Sequence, residues 1–249
     1  MEKSVVITGG NRGIGRSLTQ AFADAGYGVV VGSRNDSGVE ALVPGKIKHV
    51  PIDVRNPEDH AKMVELAANE FAPLQCYVNN AGFSAWRPIG EIDDAFLSEL
   101  LDTNLKGAFW GCQAASAALG DGGSIVNISS IAGKRGSANN AAYASTKFGM
   151  NGLTQSLAKE LGPRNIRVNA LCPVLVRTDG LVEALEEKWA PGENGGADEF
   201  LENFRKSQTA VHRLPTGEEV AAMAVFLASD AASTMTGQCI NVDCGVLPQ

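Results

Sequence analysis

Runs of mostly apolar residues, too short for helices, recur along the whole chain, and each leads into a longer stretch with helical spacing. SVVIT (Ser4 to Thr8) precedes a helix predicted from Ile14 to Ala25 and closed by Gly26. GVVVG (Gly28 to Gly32) and IKHVPID (Ile47 to Asp53) follow. The latter stands before a helix that Pro57 is suited to begin, since its missing N–H costs nothing in a first turn. CYVNN (Cys76 to Asn80) precedes helical spacing from Asp93 to Leu119, and GSIVNIS (Gly123 to Ser129) precedes a helix from Ala141 to Leu161. IRVNALCP (Ile166 to Pro173), a helix from Glu218 to Ala228 and CINVD (Cys239 to Asp243) complete the series. A strand wetted on one face alternates apolar and polar residues. Continuous apolar runs belong to strands covered on both faces, as in parallel sheets with helical crossovers. The pattern predicts one doubly wound α/β domain over residues 1–249, with about seven parallel strands and helices on both faces.

The rhythm breaks once, between Gly180 and Pro215, where APGENGGADEF interrupts helical patterns. A connection of that length in a compact domain is a lid over a site, here at about 180–215, or else a disordered surface insertion.

Charge and composition remove several function classes. A formal net charge of −7 argues against a nucleic-acid surface, which needs clustered Lys and Arg. Three scattered histidines (His49, His60, His212) and five cysteines without C-x-x-C spacing predict no metal site. The odd, unpatterned cysteine count suits reduced thiols in a cytoplasmic protein. No signal peptide precedes the first strand, and no apolar run is long enough for a membrane span.

The first strand runs directly into TGGNRGIG (Thr8 to Gly15). Gly9, Gly13 and Gly15 in a strand–turn–helix setting let backbone approach a ligand closely, and the helix N-terminus offers free N–H groups to a pyrophosphate. The end of the second strand selects the nucleotide. An acid there binds a ribose 2′-OH, as NAD requires; here the tip reads Ser33 and Arg34, with Arg12 nearby in the turn. Two guanidinium groups and a hydroxyl suit a 2′-phosphate, so NADP(H) is expected over NAD(H). The competing reading has Arg34 solvated and Asp36 on the ribose.

TGGNRGIG, NNAG (Asn79 to Gly82), TNLKG (Thr103 to Gly107), IVNISS (Ile125 to Ser130) and YASTK (Tyr143 to Lys147) occur in this order. The chain resembles the short-chain dehydrogenase/reductase family over nearly its whole length. Its layout is close to that of 3-oxoacyl-carrier-protein reductases and polyol or sugar dehydrogenases. The resemblance implies a Rossmann-type fold and a catalytic set of Asn104, Ser130, Tyr143 and Lys147. Positions four apart share a helix face, so Tyr143 and Lys147 can meet one ligand. Bringing a phenol from about 10 to about 7 takes roughly 4 kcal/mol of preference for the phenolate. An adjacent ammonium and an oxidised nicotinamide can supply it.

By resemblance, Lys147 also binds the nicotinamide ribose, Ser130 holds the substrate oxygen, and Asn104 anchors a relay water. The alternative for Asn104 is a polar residue satisfied inside the helix. The resemblance further implies cofactor contacts from Asn11 and Ile14 in the first turn. It adds Asp53 and Val54 at the adenine, and Asn79, Asn80, Ala81 and Gly82 along the cleft. Pro173, Val176 and Thr178 would meet the nicotinamide. In CPVLVRTD, Val174 stands where the family has glycine, and Cys244 in NVDCG stands where a second glycine is common; it is expected to be small and buried.

The implied reaction is hydride transfer between nicotinamide and a carbonyl or secondary alcohol, with Tyr143 exchanging the proton. The substrate is a ketone or 3-oxoacyl compound, or alternatively a polyol, sugar or hydroxy acid. A non-catalytic nucleotide sensor and an epimerase or dehydratase are the rival classes. The epimerase type needs more chain after Thr178, and the sensor sits poorly with an intact Ser130, Tyr143 and Lys147. Residues 130–137, FSAWRP (Phe83 to Pro88) and the lid are expected to line the substrate pocket. Trp86, Arg87, Arg135, Arg177 and Trp189 are candidates to face it. Their charges would suit an acidic substrate, or else are solvated surface. By resemblance, flanks of the Phe96 to Leu119 and Ala141 to Leu161 helices pair two subunits about a two-fold axis, and a further contact through the last strand and the Glu218 to Ala228 helix gives a homotetramer, with a dimer as the lesser assembly.

Overall fold

The protein is described here by a computed structural model covering residues 2–248. Its seven strands are β1 (Ser4–Thr8), β2 (Gly28–Ser33), β3 (Ile47–Pro51), β4 (Leu74–Asn79), β5 (Ser124–Ile128), β6 (Arg167–Pro173) and β7 (Cys239–Val242). They form one sheet in the order β3-β2-β1-β4-β5-β6-β7. Every pairing is parallel. The helices are α1 (Gly13–Asp24), α2 (Pro57–Glu70), α3 (Asp94–Leu100), α4 (Gly107–Ala118), α5 (Ala141–Leu161), α6 (Asp179–Glu186), α7 (Ala197–Gln208) and α8 (Gly217–Ala228).

The unbroken apolar runs serve two cores. On β1, Val5 and Ile7 pack with Leu18 and Phe22 of α1 and with Val220 and Leu227 of α8. Val6 turns the other way, toward Met63 of α2, Cys112 of α4 and Met150 of α5. Side chains alternate across a strand, so both faces are apolar only if both are covered. Each fully buried aliphatic side chain contributes about 1.5–3 kcal/mol relative to exposure. Element ends fall within a residue or two of the expected ones. α8 begins one residue early because Thr216 and Glu219 form a reciprocal capping box.

Two regions differ from expectation. The helix foreseen from Asp93 to Leu119 is three pieces: α3, a π-helical segment Leu101–Lys106, and α4. Gly107 follows the π turn and lies so close to Val54 that a Cβ would come within 3.1 Å of it. Nothing in helical periodicity separates a π turn from an α turn, and such turns concentrate at functional sites. The segment after Thr178 is folded, not disordered. α6 and α7 close an apolar cluster of Leu185, Ala190, Ala197 and Leu201 against Trp86.

Strand order reverses between β1 and β4, the first strand running to β2 and the fourth to β5. In open parallel sheets the crevice beyond the carboxyl ends at this point takes the ligand. Both TGGNRGIG and NNAG open there.

Candidate active site

A cleft of about 1820 Å³ lies over the carboxyl ends of the strands. Single-ligand pockets measure about 300–1,000 Å³, so it has room for a dinucleotide and a substrate together. Its nucleotide end is built on backbone. Gly9 has φ +64°, and a Cβ on Gly15 would stand 1.9 Å from the Gly9 carbonyl oxygen, so the turn closes only without side chains. Asn80 braces it by donating Nδ2 to the carbonyls of Thr8 (2.9 Å) and Gly9 (3.0 Å). The Thr8 hydroxyl accepts from the amides of Asn80 and Ala81. The first turn of α1 carries no side-chain cap and no acid. That leaves its N–H groups and positive end for an anion, which fits a dinucleotide pyrophosphate.

Gly9, Asn11, Arg12, Gly13, Ile14 and Gly15 all line the cleft, as do Ser33, Arg34, Asp53 and Val54. Asn80, Ala81 and Gly82 line it from the β4 side, and Pro173, Val176 and Thr178 from the β6 side. Asn79 does not. It is buried, donating to Asn127 Oδ1 at 2.9 Å, because residues in succession along a strand face opposite ways. Ser33 donates to the Asn35 carbonyl (2.9 Å) and lies 2.8 Å from His49 Nε2, which occupies its one O–H. Asp36 receives the Gly38 amide at 2.8 Å and is absent from the cleft wall. Asp53 is paired with Arg55, whose guanidinium holds the carboxyl below its usual range.

At the other end, Tyr143 and Ser130 line the cleft together, and Ser130 Oγ accepts the Ala132 amide at 3.1 Å. Lys147 is 4% exposed, donates to the Ile128 carbonyl at 2.9 Å, and sits 5.7 Å from the Tyr143 ring centroid. Helical spacing of four brings the pair together, as expected from YASTK. Burial pushes the Tyr143 phenol up to about 12, with Ser130 pulling it down. Burial brings Lys147 down to about 8. Lowering the phenol calls on positive charge, from the Lys147 ammonium beside it and from what enters the cleft.

Asn104 sits in the π segment and is fully buried. Its Oδ1 accepts the Phe83 amide (3.0 Å) and its Nδ2 donates to the Phe83 carbonyl (2.8 Å). Its side chain is satisfied internally, outside the cleft wall. Thr178 caps α6 by accepting the Leu181 amide at 3.2 Å and lies against Gly13.

Of the substrate candidates, Trp86, Arg135 and Arg177 line the cleft, and Arg177 is paired with Asp198 at 2.9 Å. Arg87 and Trp189 do not line it. The Arg87 guanidinium stacks 4.0 Å over Phe96 and 5.8 Å from Trp189. Val174 adopts no left-handed backbone; its amide donates to Val242, and its side chain packs with Ile131 and Cys172. Cys244, expected buried, is half-buried with φ +55°. Asn140, at the N-terminus of α5, also lines the cleft; it was missed because its sequence setting is that of an ordinary helix cap. Among the described residues no group of His, Cys, Asp and Glu could hold a metal. No helix there is long and apolar enough to cross a membrane.

A glycine-rich turn at the switch point with a Ser–Tyr–Lys cluster opposite defines a nucleotide-dependent oxidoreductase site. A family model described as enoyl-(acyl carrier protein) reductase matches residues 9–247. The chain is 33% identical over 258 residues to the 3-oxoacyl-[acyl-carrier-protein] reductase of Chlamydia muridarum, covering 99% of this chain and 98% of that one. It is 33% identical over 260 residues to the L-2,3-butanediol dehydrogenase of Corynebacterium glutamicum, covering 99% of each. Its fold matches a crystal structure of an actinorhodin polyketide ketoreductase with NADPH at a TM-score of 0.88 and 27% identity, over 98% of this chain and 97% of that one. The chain belongs to the short-chain dehydrogenase/reductase family, oxidoreductases that act on CH–OH donors with a nicotinamide dinucleotide.

Proposed function

We propose that this enzyme is an NADP(H)-dependent reductase of small ketones, running the reverse alcohol oxidation at the same site. The observation that carries this reading is that Ser130, Tyr143 and Lys147 line one cleft with the glycine turn. A bound reduced nicotinamide supplies hydride to the carbonyl carbon. Tyr143 donates the proton to the carbonyl oxygen, and Ser130 holds that oxygen by hydrogen bond. Lys147 binds the nicotinamide ribose and stabilises the phenolate left behind. Asn104 acts through Phe83, holding the segment that follows Gly82 in place. The 2′-phosphate falls to Arg12 and Arg34, which line the cleft, while the rival Asp36 is turned into its own loop. The ketoreductase with NADPH supports the same nucleotide.

α6 and α7 are read as a lid. Their apolar side is closed on Trp86, which favours a short substrate over a long acyl chain. Phe109 and Phe148 are 47% and 48% exposed on α4 and α5, and Phe226 is 37% exposed on α8. Three large apolar side chains on these faces support a homotetramer, and sedimentation should show a particle several times 26.1 kDa. A fully active monomer would overturn that assembly. The five free thiols suit the cytoplasm.

The test is absorbance at the reduced nicotinamide band across a panel of carbonyls and alcohols with both nucleotides. Consumption of NADPH, with NADH weaker, is the expected result. Nucleotide binding without turnover on any substrate would instead make the chain a sensor.

A further inference from the structure

The cations of the cleft wall divide sharply. Arg55, Arg177, Arg205 and Arg213 are each paired with an acid, respectively Asp53, Asp198, Glu202 and Glu219. Lys147 is taken by the Ile128 carbonyl. Arg12, Arg34 and Arg135 have no ion pair or side-chain hydrogen bond among the described residues. The first two stand at the nucleotide end. Arg135 stands at the other end, half-buried in the loop that leaves Ser130 and returns to Asn140, one helical turn before Tyr143.

Asn140 supplies the second, independent observation. It occupies the N-cap of α5, where asparagine ordinarily accepts a backbone N–H. It makes no such bond. Its side chain is 5% exposed and lines the cleft, with Nδ2 on Ser137 Oγ at 3.4 Å and Oδ1 buried without a partner. Turning the amide over would leave an N–H stranded in the same place. Either way one amide atom there lacks a protein partner, and a buried unpaired polar atom costs about 1–3 kcal/mol. A ligand hydroxyl, both donor and acceptor, answers either orientation.

We propose that Arg135 and Asn140 form a specificity subsite for a short oxo or hydroxy acid, with the carboxylate on the Arg135 guanidinium and a hydroxyl on the Asn140 amide. A single guanidinium matches one carboxylate in bidentate geometry. The acids that also line the cleft on α6, Asp179 and Glu183, are exposed to solvent, where their repulsion is screened. This assignment rests on the reductase reading for its carbonyl but adds the charge of the substrate.

The test uses the full chain and matched pairs, a 2-oxo and a 3-oxo acid each against its methyl ester. The acid is expected to have at least about tenfold higher kcat/KM than the ester, mainly through KM. Arg135→Met should collapse that ratio. Asn140→Ala should lower kcat/KM for a hydroxylated acid several-fold more than for its deoxy analogue. Equal turnover of acid and ester, or equal loss on both in Arg135→Met, overturns the subsite. Binding is read separately by tryptophan fluorescence of the nucleotide-loaded protein, titrated with unreactive isobutyrate and isobutyramide. Isobutyrate binding that Arg135→Met weakens about tenfold upholds the subsite even if no substrate turns over, in which case only the reductase reading fails. Equal response to acid and amide overturns the subsite whatever the turnover.

Discussion

The two ends of the cleft are made of different material. At the nucleotide end the groups that face a ligand are mostly backbone: the glycine turn, the first amides of α1, and the stretch after β4 braced by Asn80 and Thr8. At the substrate end they are side chains, drawn from the loop after Ser130, from α5, and from α6 and α7, which pack on Trp86. Backbone geometry is enforced locally by glycine and by helix ends, so it survives substitution elsewhere. Side-chain geometry at the substrate end depends on four segments meeting, so it is where specificity can change without disturbing the nucleotide.

The largest expected effect separates the ends. Tyr143→Phe should lower kcat by about 10²–10⁴-fold, the usual worth of a positioned proton donor, while nucleotide affinity holds. Turnover by absorbance and affinity by fluorescence titration check it; lost affinity would mean the two ends are one unit. Arg34→Ala should do the reverse. It should weaken NADPH binding by about tenfold or more and leave NADH and the carbonyl KM unchanged, since a charge-assisted contact is worth about 1.5–3 kcal/mol. An unaltered nucleotide preference would leave Arg34 as solvated surface.

Lys147 stands between the ends and should show the cost of its position. Burial holds it at about 8 against 10.5 for a free lysine. Below pH 8 both folded and unfolded states carry the charge, and the folded state bears the desolvation cost, on the order of 3 kcal/mol. Lys147→Met removes that cost but orphans the Ile128 carbonyl. Its net gain at pH 7 should be about 1–2 kcal/mol, with activity lost. From pH 8 to 10.5 the folded wild type sheds its proton before the unfolded chain does, so the advantage should shrink and then reverse. Urea unfolding at pH 7 and pH 10 would show it; a gain independent of pH would mean the ammonium is not the cause. The smallest effect lies outside the cleft wall, just after β7. Cys244 holds φ +55° while its carbonyl accepts the Ala210 amide at 2.9 Å. Cys244→Gly should stabilise by about 1 kcal/mol in thermal unfolding, because only glycine adopts that conformation without strain. A loss would show that the thiol's packing outweighs its backbone.

The sequence alone determined the doubly covered parallel sheet and the two clusters at its mouth. A doubly covered parallel sheet requires apolar residues at every strand position, glycine is the residue that lets a tight turn follow a strand, and Tyr143 and Lys147 meet through local helical spacing. Each of these signals is local in the sequence. Tertiary structure decided the rest. It chose Asn80 over Asn79 for the cleft wall, since strand alternation allows one of them to face it. It opened a π turn at Asn104, whose amide is held by Phe83 from another segment. It turned Asp36 away, raised the Tyr143 phenol by burial, and consumed four of the cleft's arginines in ion pairs while leaving Arg135 free. Those outcomes depend on which groups far apart in the chain come within a few ångströms and lose their water, and only the assembled fold sets that.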